Sequence, residues 1–120
     1  MKYLLLIYSS PATWNALSQQ ERDRVAREHA ELDAELIATG ELLASEALAD
    51  PSRSSAVRVR DGVAVHTDGP YAEVKEHLAG FYLVDCDTPE RAREIAARIP
   101  DARICGAEVR PVMECAGMEM

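Results

Sequence analysis

The densest group of side chains that can take part in chemistry lies between Thr67 and Gly80. This stretch opens on Asp68-Gly69-Pro70, a turn pattern in which glycine tolerates positive φ and proline fixes its own φ. Titratable side chains surround the turn: His66, Asp68, Tyr71, Glu73, Lys75, Glu76 and His77. Charged residues between two strands are often only solvated loop, so the pattern predicts either a wall of a ligand site or an exposed loop.

A candidate general base, His29, lies on a predicted helix upstream of this stretch. Val25, Leu32 and Leu36 form an apolar stripe along that helix, and His29 falls inside the stripe. Asp33 follows one turn later, close enough to hydrogen-bond the imidazole ring. Partial burial tunes an imidazole for proton transfer, but the same pattern also fits a histidine that is simply satisfied at the edge of the core.

Two cationic side chains, Lys75 and Arg110, are candidates for binding an anionic or enolate-like oxygen. Each also has a simpler explanation, because Lys75 can pair with Glu73 and Arg110 can pair with Glu108 or Glu114. The three histidines lack the HxH or HExxH spacing of a metal site, and there is no Gly-rich phosphate loop or GxSxG motif. We therefore expect neither a metal nor another cofactor.

Composition limits the partners of the chain. It has 120 residues and a formal net charge of −8, which is the size of one acidic domain, assigned to residues 1–120. The acidic balance argues against nucleic-acid binding and against docking to an anionic membrane. The N-terminal apolar run is too short for a signal peptide, and three cysteines without CxxC spacing (Cys86, Cys105 and Cys115) are interpreted as reduced. We expect a soluble, cytoplasmic protein.

Two helices are predicted from their end signals. Ser18 and Glu21 form a capping box for a helix that runs to the residue before Gly40, which supplies a left-handed stop. Thr88 caps a second helix, which begins at a proline and ends at Pro100.

Strands are predicted where short apolar runs lie between turn residues. A loop carrying Trp14 follows the first of them, and Pro111 should place the last one at a sheet edge because proline cannot donate to a ladder. The predicted strands are Lys2 to Tyr8, Glu41 to Leu48, Gly80 to Cys86, and Ala107 to about Cys115.

A hairpin around Asp61-Gly62 is predicted over Ala56 to Thr67. A two-residue loop would place Arg60 opposite Val63. A three-residue loop, with the glycine left-handed in a bulge, gathers all the hairpin valines on one face and is the register we predict. Those valines are Val57, Val59, Val63 and Val65.

The order of elements predicts an α+β, ferredoxin-like fold with an inserted β-hairpin. In such a fold both helices cover one face of the sheet. The nearly all-apolar strands would then leave the other face apolar and exposed, which a monomer rarely does. We therefore expect a homodimer that packs by its sheet faces, forming a dimeric α+β barrel.

The sequence also resembles a known family. The segment from Thr67 to Tyr82, TDGPYAEVKEHLAGFY, resembles the DGPF signature of YCII-related proteins, with Tyr71 in the Phe position. The final AEVRPV segment and the helix segment REH with its following GEL resemble the same family, so the likeness covers nearly the whole chain. The resemblance implies a dimeric α+β barrel with a ligand-sized cleft, often encoded beside extracytoplasmic-function sigma factors.

Some YCII relatives are proposed or known to use a His-Asp pair for acid-base chemistry, and one branch removes chloride from a hydroxylated aromatic. The resemblance assigns the histidine to His29, whereas the family's aspartate position is Ala38 in this chain. Asp33 or Asp68 is therefore the expected orienting carboxylate. We predict His29 and Asp68 as catalytic residues, with ligand contacts from His66, Tyr71, Glu73, Lys75 and Arg110.

Two functions are compatible with these features. One is a small-molecule-binding homodimer that acts as an accessory of a sigma-factor system. The other is a small acid-base enzyme of the lyase or dehydrochlorinase type that uses His29 with a nearby carboxylate.

Overall fold

The computed structural model describes residues 1–70 and 75–113, which form a mixed α+β fold. The element order is strand, two helices, strand, hairpin, strand, two helices, strand. The strands are β1 (Lys2–Ser9), β2 (Leu42–Ala47), β3 (Ser55–Arg60), β4 (Val63–Asp68), β5 (His77–Asp85) and β6 (Gly106–Pro111). The helices are α1 (Pro11–Asn15), α2 (Gln19–Thr39), α3 (Pro89–Arg98) and α4 (Pro100–Ile104), with a 3₁₀ turn at Pro51–Arg53.

Four strands form one antiparallel sheet in the order β2-β5-β1-β6. Leu5 of β1 lies opposite Tyr82 of β5 on one side and Val109 of β6 on the other. The central strands are thus the two most apolar segments of the chain. Strand β6 pairs only with β1, so Pro111 lies on an edge strand as predicted.

Helices α2 and α3 cover one face of this sheet. Leu32 and Leu36 of α2 and Ile95 of α3 are almost fully buried, because each helix turns its apolar stripe toward the sheet. The core that results contains Tyr3, Leu5, Ile7, Leu32, Leu36, Tyr82, Val84, Cys86, Ala92, Ile95, Ala96 and Ile99.

Alternate residues of the central strands point to the opposite side of the sheet, which we call the open face. It is formed by Leu4 and Leu6 of β1, opposite Leu83 and Phe81 of β5, all of them half-buried. No helix packs on this side among the described residues. The open face is the apolar surface that the sequence predicted.

The end signals of α2 act as predicted. Ser18 accepts a hydrogen bond from the Glu21 amide, and the Glu21 carboxylate accepts one from the Ser18 amide, which completes the capping box. Gly40 ends the helix at φ 79°. The next residue, Glu41, then forms a two-pronged ion pair with Arg91 of α3, at 2.8 and 2.9 Å, which ties the two helices together at this end.

The predicted hairpin register is wrong. Asp61 and Gly62 form a two-residue turn with φ of 51° and 78°, and Arg60 lies opposite Val63. Asp61 accepts a left-handed conformation, so no bulge is needed. The valines are therefore divided between the two faces, and all four are more than half exposed (Val57, Val59, Val63 and Val65). Because the ribbon packs on no core among the described residues, gathering its valines on one face buries no additional apolar surface there.

The structure contains two short helices, α1 and α4, that the sequence analysis did not predict. Ser10 caps α1, so the Trp14 segment is helical rather than a loop, and the Arg22 guanidinium lies 5.3 Å from the Trp14 ring centre. Pro100, predicted as the end of α3, also starts α4, because proline suits the first position of a helix. Strand β6 ends at Pro111, and Cys115 lies outside the described residues.

No helix within residues 1–70 and 75–113 combines the length and the apolar character needed to cross a membrane.

Gly80 offers a test of the sheet. A methyl group at this position would lie 2.8 Å from the backbone oxygen of Glu46 in β2, and a paired strand cannot move away cheaply. We expect Gly80→Ala to lower the free energy of unfolding by roughly 1–3 kcal/mol, measured by urea denaturation. Gly106→Ala is the matched control, since no atom lies within 4 Å of its added methyl group. Equal stability of the two variants would contradict the β2–β5 pairing.

Candidate functional site

His29 lies on α2, near the edge of the stripe that packs on the sheet. Because Leu32 and Leu36 of the same helix are buried against the sheet, the imidazole is held over β5. Its Nδ1 atom lies 2.8 Å from the hydroxyl oxygen of Tyr82, which points from β5 toward the helices. About a quarter of the imidazole side chain (27%) stays exposed, so His29 is neither a core residue nor a surface residue.

The other ring nitrogen of His29 binds a carboxylate. Its Nε2 atom lies 2.6 Å from Oδ1 of Asp101, in the first turn of α4. This corrects the sequence prediction, since both ring nitrogens have other partners and neither Asp33 nor Asp68 hydrogen-bonds the ring. The Asp101 side chain is 16% exposed, which leaves the pair in contact with both the protein and the solvent.

Sequence reasoning missed Asp101 and Tyr82. The sequence feature that could have indicated Asp101 was Pro100. A proline marks the start of a helix as readily as its end, and Asp101 would then lie in the first turn of that helix. The signal for Tyr82 was its alternation with Phe81 and Leu83, which sends a tyrosine hydroxyl toward the helix layer. A buried tyrosine hydroxyl normally has a partner, and a histidine on the covering helix is a natural one.

A second carboxylate lies beside the Tyr82 hydroxyl. Burial raises the pKa of the Tyr82 phenol well above its usual range, and its interaction with Asp33 raises that pKa further. Ser45, opposite Tyr82 in β2, lowers the pKa of the Tyr82 phenol. Tyr82 therefore stays protonated at neutral pH. The Oδ1 atom of Asp33 is buried and has no hydrogen-bond partner among the described residues.

These contacts fix how the protons are arranged. A carboxylate can only accept, so the hydrogen bond to Asp101 places the ring proton on Nε2 of His29. In the neutral ring Nδ1 is then the acceptor, and the Tyr82 hydroxyl donates to it. If His29 gains a proton, Nδ1–H donates to the Tyr82 oxygen and the tyrosine hydrogen can turn toward Asp33. Asp101, His29 and Tyr82 thus form a hydrogen-bonded chain along which one proton can move.

Helix α4 is held against α2 by an ion pair next to this site. Arg103 donates to both carboxylate oxygens of Glu28, at 2.6 and 3.0 Å, and lowers the Glu28 pKa. Glu28 also accepts from Arg24 at 2.8 Å. Because Glu28 precedes His29 and Arg103 lies two residues beyond Asp101, this contact fixes the two helix segments that carry the His29–Asp101 pair.

A cleft of about 340 Å³ opens beside the pair. Its walls come from α2, α4, and strands β1, β2 and β5. The lining residues are Ile7, His29, Asp33, Ser45, Glu46, Ala47, Ala79, Gly80, Tyr82 and Asp101. Glu46 pairs with Phe81, so its side chain lies on the open-face side and mainly its backbone borders the cleft.

The hairpin residues predicted for the site lie elsewhere. His66 and Asp68 are exposed on β4, and neither lines the His29 cleft. Arg110 is exposed and pairs with Glu108, the simpler of its two explanations. Lys75 is exposed outside the cleft as well. Tyr71 and Glu73 lie outside the described residues.

A second cavity, of about 740 Å³, lies where the hairpin leaves the sheet. From the Thr67–Gly80 stretch, Pro70, Glu76 and His77 line it, together with apolar residues such as Tyr8 and Leu48. Part of that stretch therefore borders a cavity, but it is not the cavity that contains His29.

The described residues contain no group of three His, Cys, Asp or Glu side chains arranged to hold a metal ion. Cys86 and Cys105 are free thiols. Burial raises the pKa of both, so neither is an activated nucleophile. Cys115 lies outside the described residues. The titratable side chains that contact one another in the cleft, His29, Tyr82 and Asp101, are groups that can exchange protons.

Comparison with known proteins identifies the family of this chain. The model of the YCII-related domain matches residues 1–116. The chain belongs to the YCII-related domain family. It is 32% identical over 114 residues to an uncharacterized protein of Rhizobium meliloti (strain 1021), covering 93% of this chain and 92% of that protein. In this YCII-related chain the carboxylate bonded to His29 comes from α4.

The His29–Asp101 contact can be measured by a double-mutant cycle. We expect His29→Gln and Asp101→Asn, combined, to show a coupling energy of roughly 1–3 kcal/mol in urea unfolding at pH 7, because each single change strands a hydrogen-bonding partner. Asp68→Asn is the matched control, and its effect should add to that of His29→Gln within about 0.5 kcal/mol. Coupling of His29 to Asp68 instead of Asp101 would overturn the site.

Proposed function

We propose that this YCII-related chain binds a small molecule in the cleft beside His29 and carries out acid-base chemistry on it. The observation that carries the proposal is the His29–Asp101 pair at 2.6 Å, partly exposed at the wall of an open cleft. A histidine oriented by a carboxylate is the commonest arrangement for moving a proton at neutral pH.

The proton would move through Tyr82. As a substrate proton reaches the Tyr82 oxygen, the tyrosine hydrogen passes to Nδ1 of His29, and Asp101 stabilises the imidazolium that forms. Tyr82 stays neutral throughout, as its raised pKa requires. The electron pair left on the substrate expels a leaving group or forms a double bond, which is the chemistry of a lyase or an isomerase.

One observation favours a second candidate, a binding module without catalysis. Both nitrogens of His29 already have protein partners, so the ring need not contact a ligand at all. In that case the pair would serve to join α2, α4 and β5 around a binding cleft. The two candidates differ in whether a bound compound loses a proton.

The base-promoted ring opening of 5-nitrobenzisoxazole distinguishes them. This neutral probe loses one carbon-bound proton as its N–O bond breaks, giving a coloured phenolate. If His29 receives protons, we expect the wild type to open the ring on the order of tenfold or more faster than His29→Gln. His66→Gln, an exposed histidine on the hairpin, is the matched control and should behave as the wild type. Equal rates for all three proteins would favour the binding module.

We also propose that the chain is ferredoxin-like and assembles as a dimeric α+β barrel through the open face. The sheet order β2-β5-β1-β6 with helices on one side supports the first part. The open face and a smallest dimension of only 18 Å support the second, since a two-layer chain leaves one sheet side in water. A second copy offers the same apolar residues in a self-complementary arrangement.

We expect Leu6→Lys or Leu83→Lys to abolish the dimer. Each copy would bring one charge into the apolar contact between the two open faces. We expect light scattering after size exclusion to give a dimer for the wild type at micromolar concentration and a monomer for either variant. Ile37→Lys, on the exposed side of α2, is the matched control and should stay dimeric. A wild-type monomer would contradict the proposal.

The remaining expectations are kept as proposals. Tyr71, Glu73 and Lys75 are kept as proposed ligand contacts on the strength of the sequence pattern alone. Cytoplasmic location and association with a sigma-factor system rest on composition and on the family resemblance.

A further inference from the structure

The His29 cleft carries negative charge. Asp33 and Asp101 both line it, whereas no lysine or arginine does so among the described residues. His29 offsets at most one of these charges, and only when it is protonated. Two arginines on the surrounding helices form ion pairs outside the cleft, Arg98 with Glu35 and Arg103 with Glu28. The field inside the cleft therefore repels anions.

One oxygen atom of these carboxylates lacks a partner, although Asp33 also interacts with the Tyr82 hydroxyl. The Oδ1 atom of Asp33 is buried without a hydrogen bond among the described residues, although Asp101 is matched to His29 and the two lie along the same cleft. A buried carboxylate oxygen without a donor is costly, and native proteins normally supply one from a side chain, a water or a ligand. This atom marks where the cleft accepts a hydrogen bond from outside the chain.

The rest of the cleft is small and partly apolar. Ile7, Ala47 and Ala79 provide hydrocarbon surface, and the volume of about 340 Å³ lies at the lower end of the range of ligand pockets, about 300–1,000 Å³. A suitable ligand is a compact hydrocarbon that carries one hydrogen-bond-donating cation.

From the unpartnered Asp33 oxygen and the absence of cations in the lining, we infer that the cleft binds an organic ammonium ion. The ammonium N–H groups donate to the Asp33 carboxylate, and the hydrocarbon part lies against Ile7 and Ala79. This inference rests on the proposed function, since it takes the His29 cleft to be the ligand site. It replaces the anionic ligand that Lys75 and Arg110 suggested, because both lie outside the cleft.

Three probes of one shape test the charge preference: benzylammonium, benzyl alcohol and benzoate, titrated at pH 7 by calorimetry and by NMR. We expect benzylammonium to bind on the order of tenfold or more tightly than benzyl alcohol, because a charged donor forms the stronger bond to a carboxylate. Benzoate should bind more weakly than either. Equal affinity for the three probes, tighter benzoate binding, or no binding of benzylammonium would overturn the inference.

Asp33→Asn assigns the contact. We expect it to reduce benzylammonium affinity to that of benzyl alcohol while leaving benzyl alcohol binding nearly unchanged. Asp23→Asn is the matched control, since Asp23 is exposed on the same helix and bonds only Gln19 among the described residues. If Asp23→Asn weakens benzylammonium binding as much as Asp33→Asn does, the preference is a general effect of the acidic chain and the inference fails.

These outcomes separate the inference from the proposed function. Asp33-dependent ammonium binding with no His29-dependent ring opening would leave the inference standing and refute acid-base chemistry. His29-dependent ring opening without ammonium preference would refute the inference and leave the acid-base proposal standing.

Discussion

The packing of α2 on one face of the sheet determines where chemistry is possible in this protein. Leu32 and Leu36 are buried against the central strands, and their spacing fixes the rotation of the helix about its axis. With that rotation set, His29 must face β5, where Tyr82 is the inward residue. The His29–Asp101 pair therefore lies at the edge of the core. A rotation of α2 on the sheet would move the imidazole away from both of its partners.

Local signals in the sequence predicted the elements well but could not predict the partner of His29. The capping box, the glycine stop of α2 and the edge position of Pro111 depend on neighbouring residues, and each is confirmed. Asp101 lies 72 positions from His29, and only the packing of α4 against α2 brings them together. The predicted hairpin register was wrong for a related reason. The hydrophobic pattern sets the register of a hairpin only where one of its faces packs on a core.

The structure separates two features that the sequence had suggested as one site. The His29 cleft is acidic and bounded by α2, α4 and the sheet, whereas the stretch after the hairpin borders another cavity through Pro70, Glu76 and His77. Asp101, carried by the short helix α4 near the other end of the chain, is the carboxylate that bonds His29.

The most direct test of this account is the tautomer of His29, read from long-range ¹H–¹⁵N correlations of its ring at neutral pH. The structure predicts a proton on Nε2, shifted far downfield by its hydrogen bond to Asp101 and moved back upfield by Asp101→Asn. A ring protonated at Nδ1 alone, or ring signals that Asp101→Asn leaves unchanged, would contradict the central claim that Asp101 orients His29.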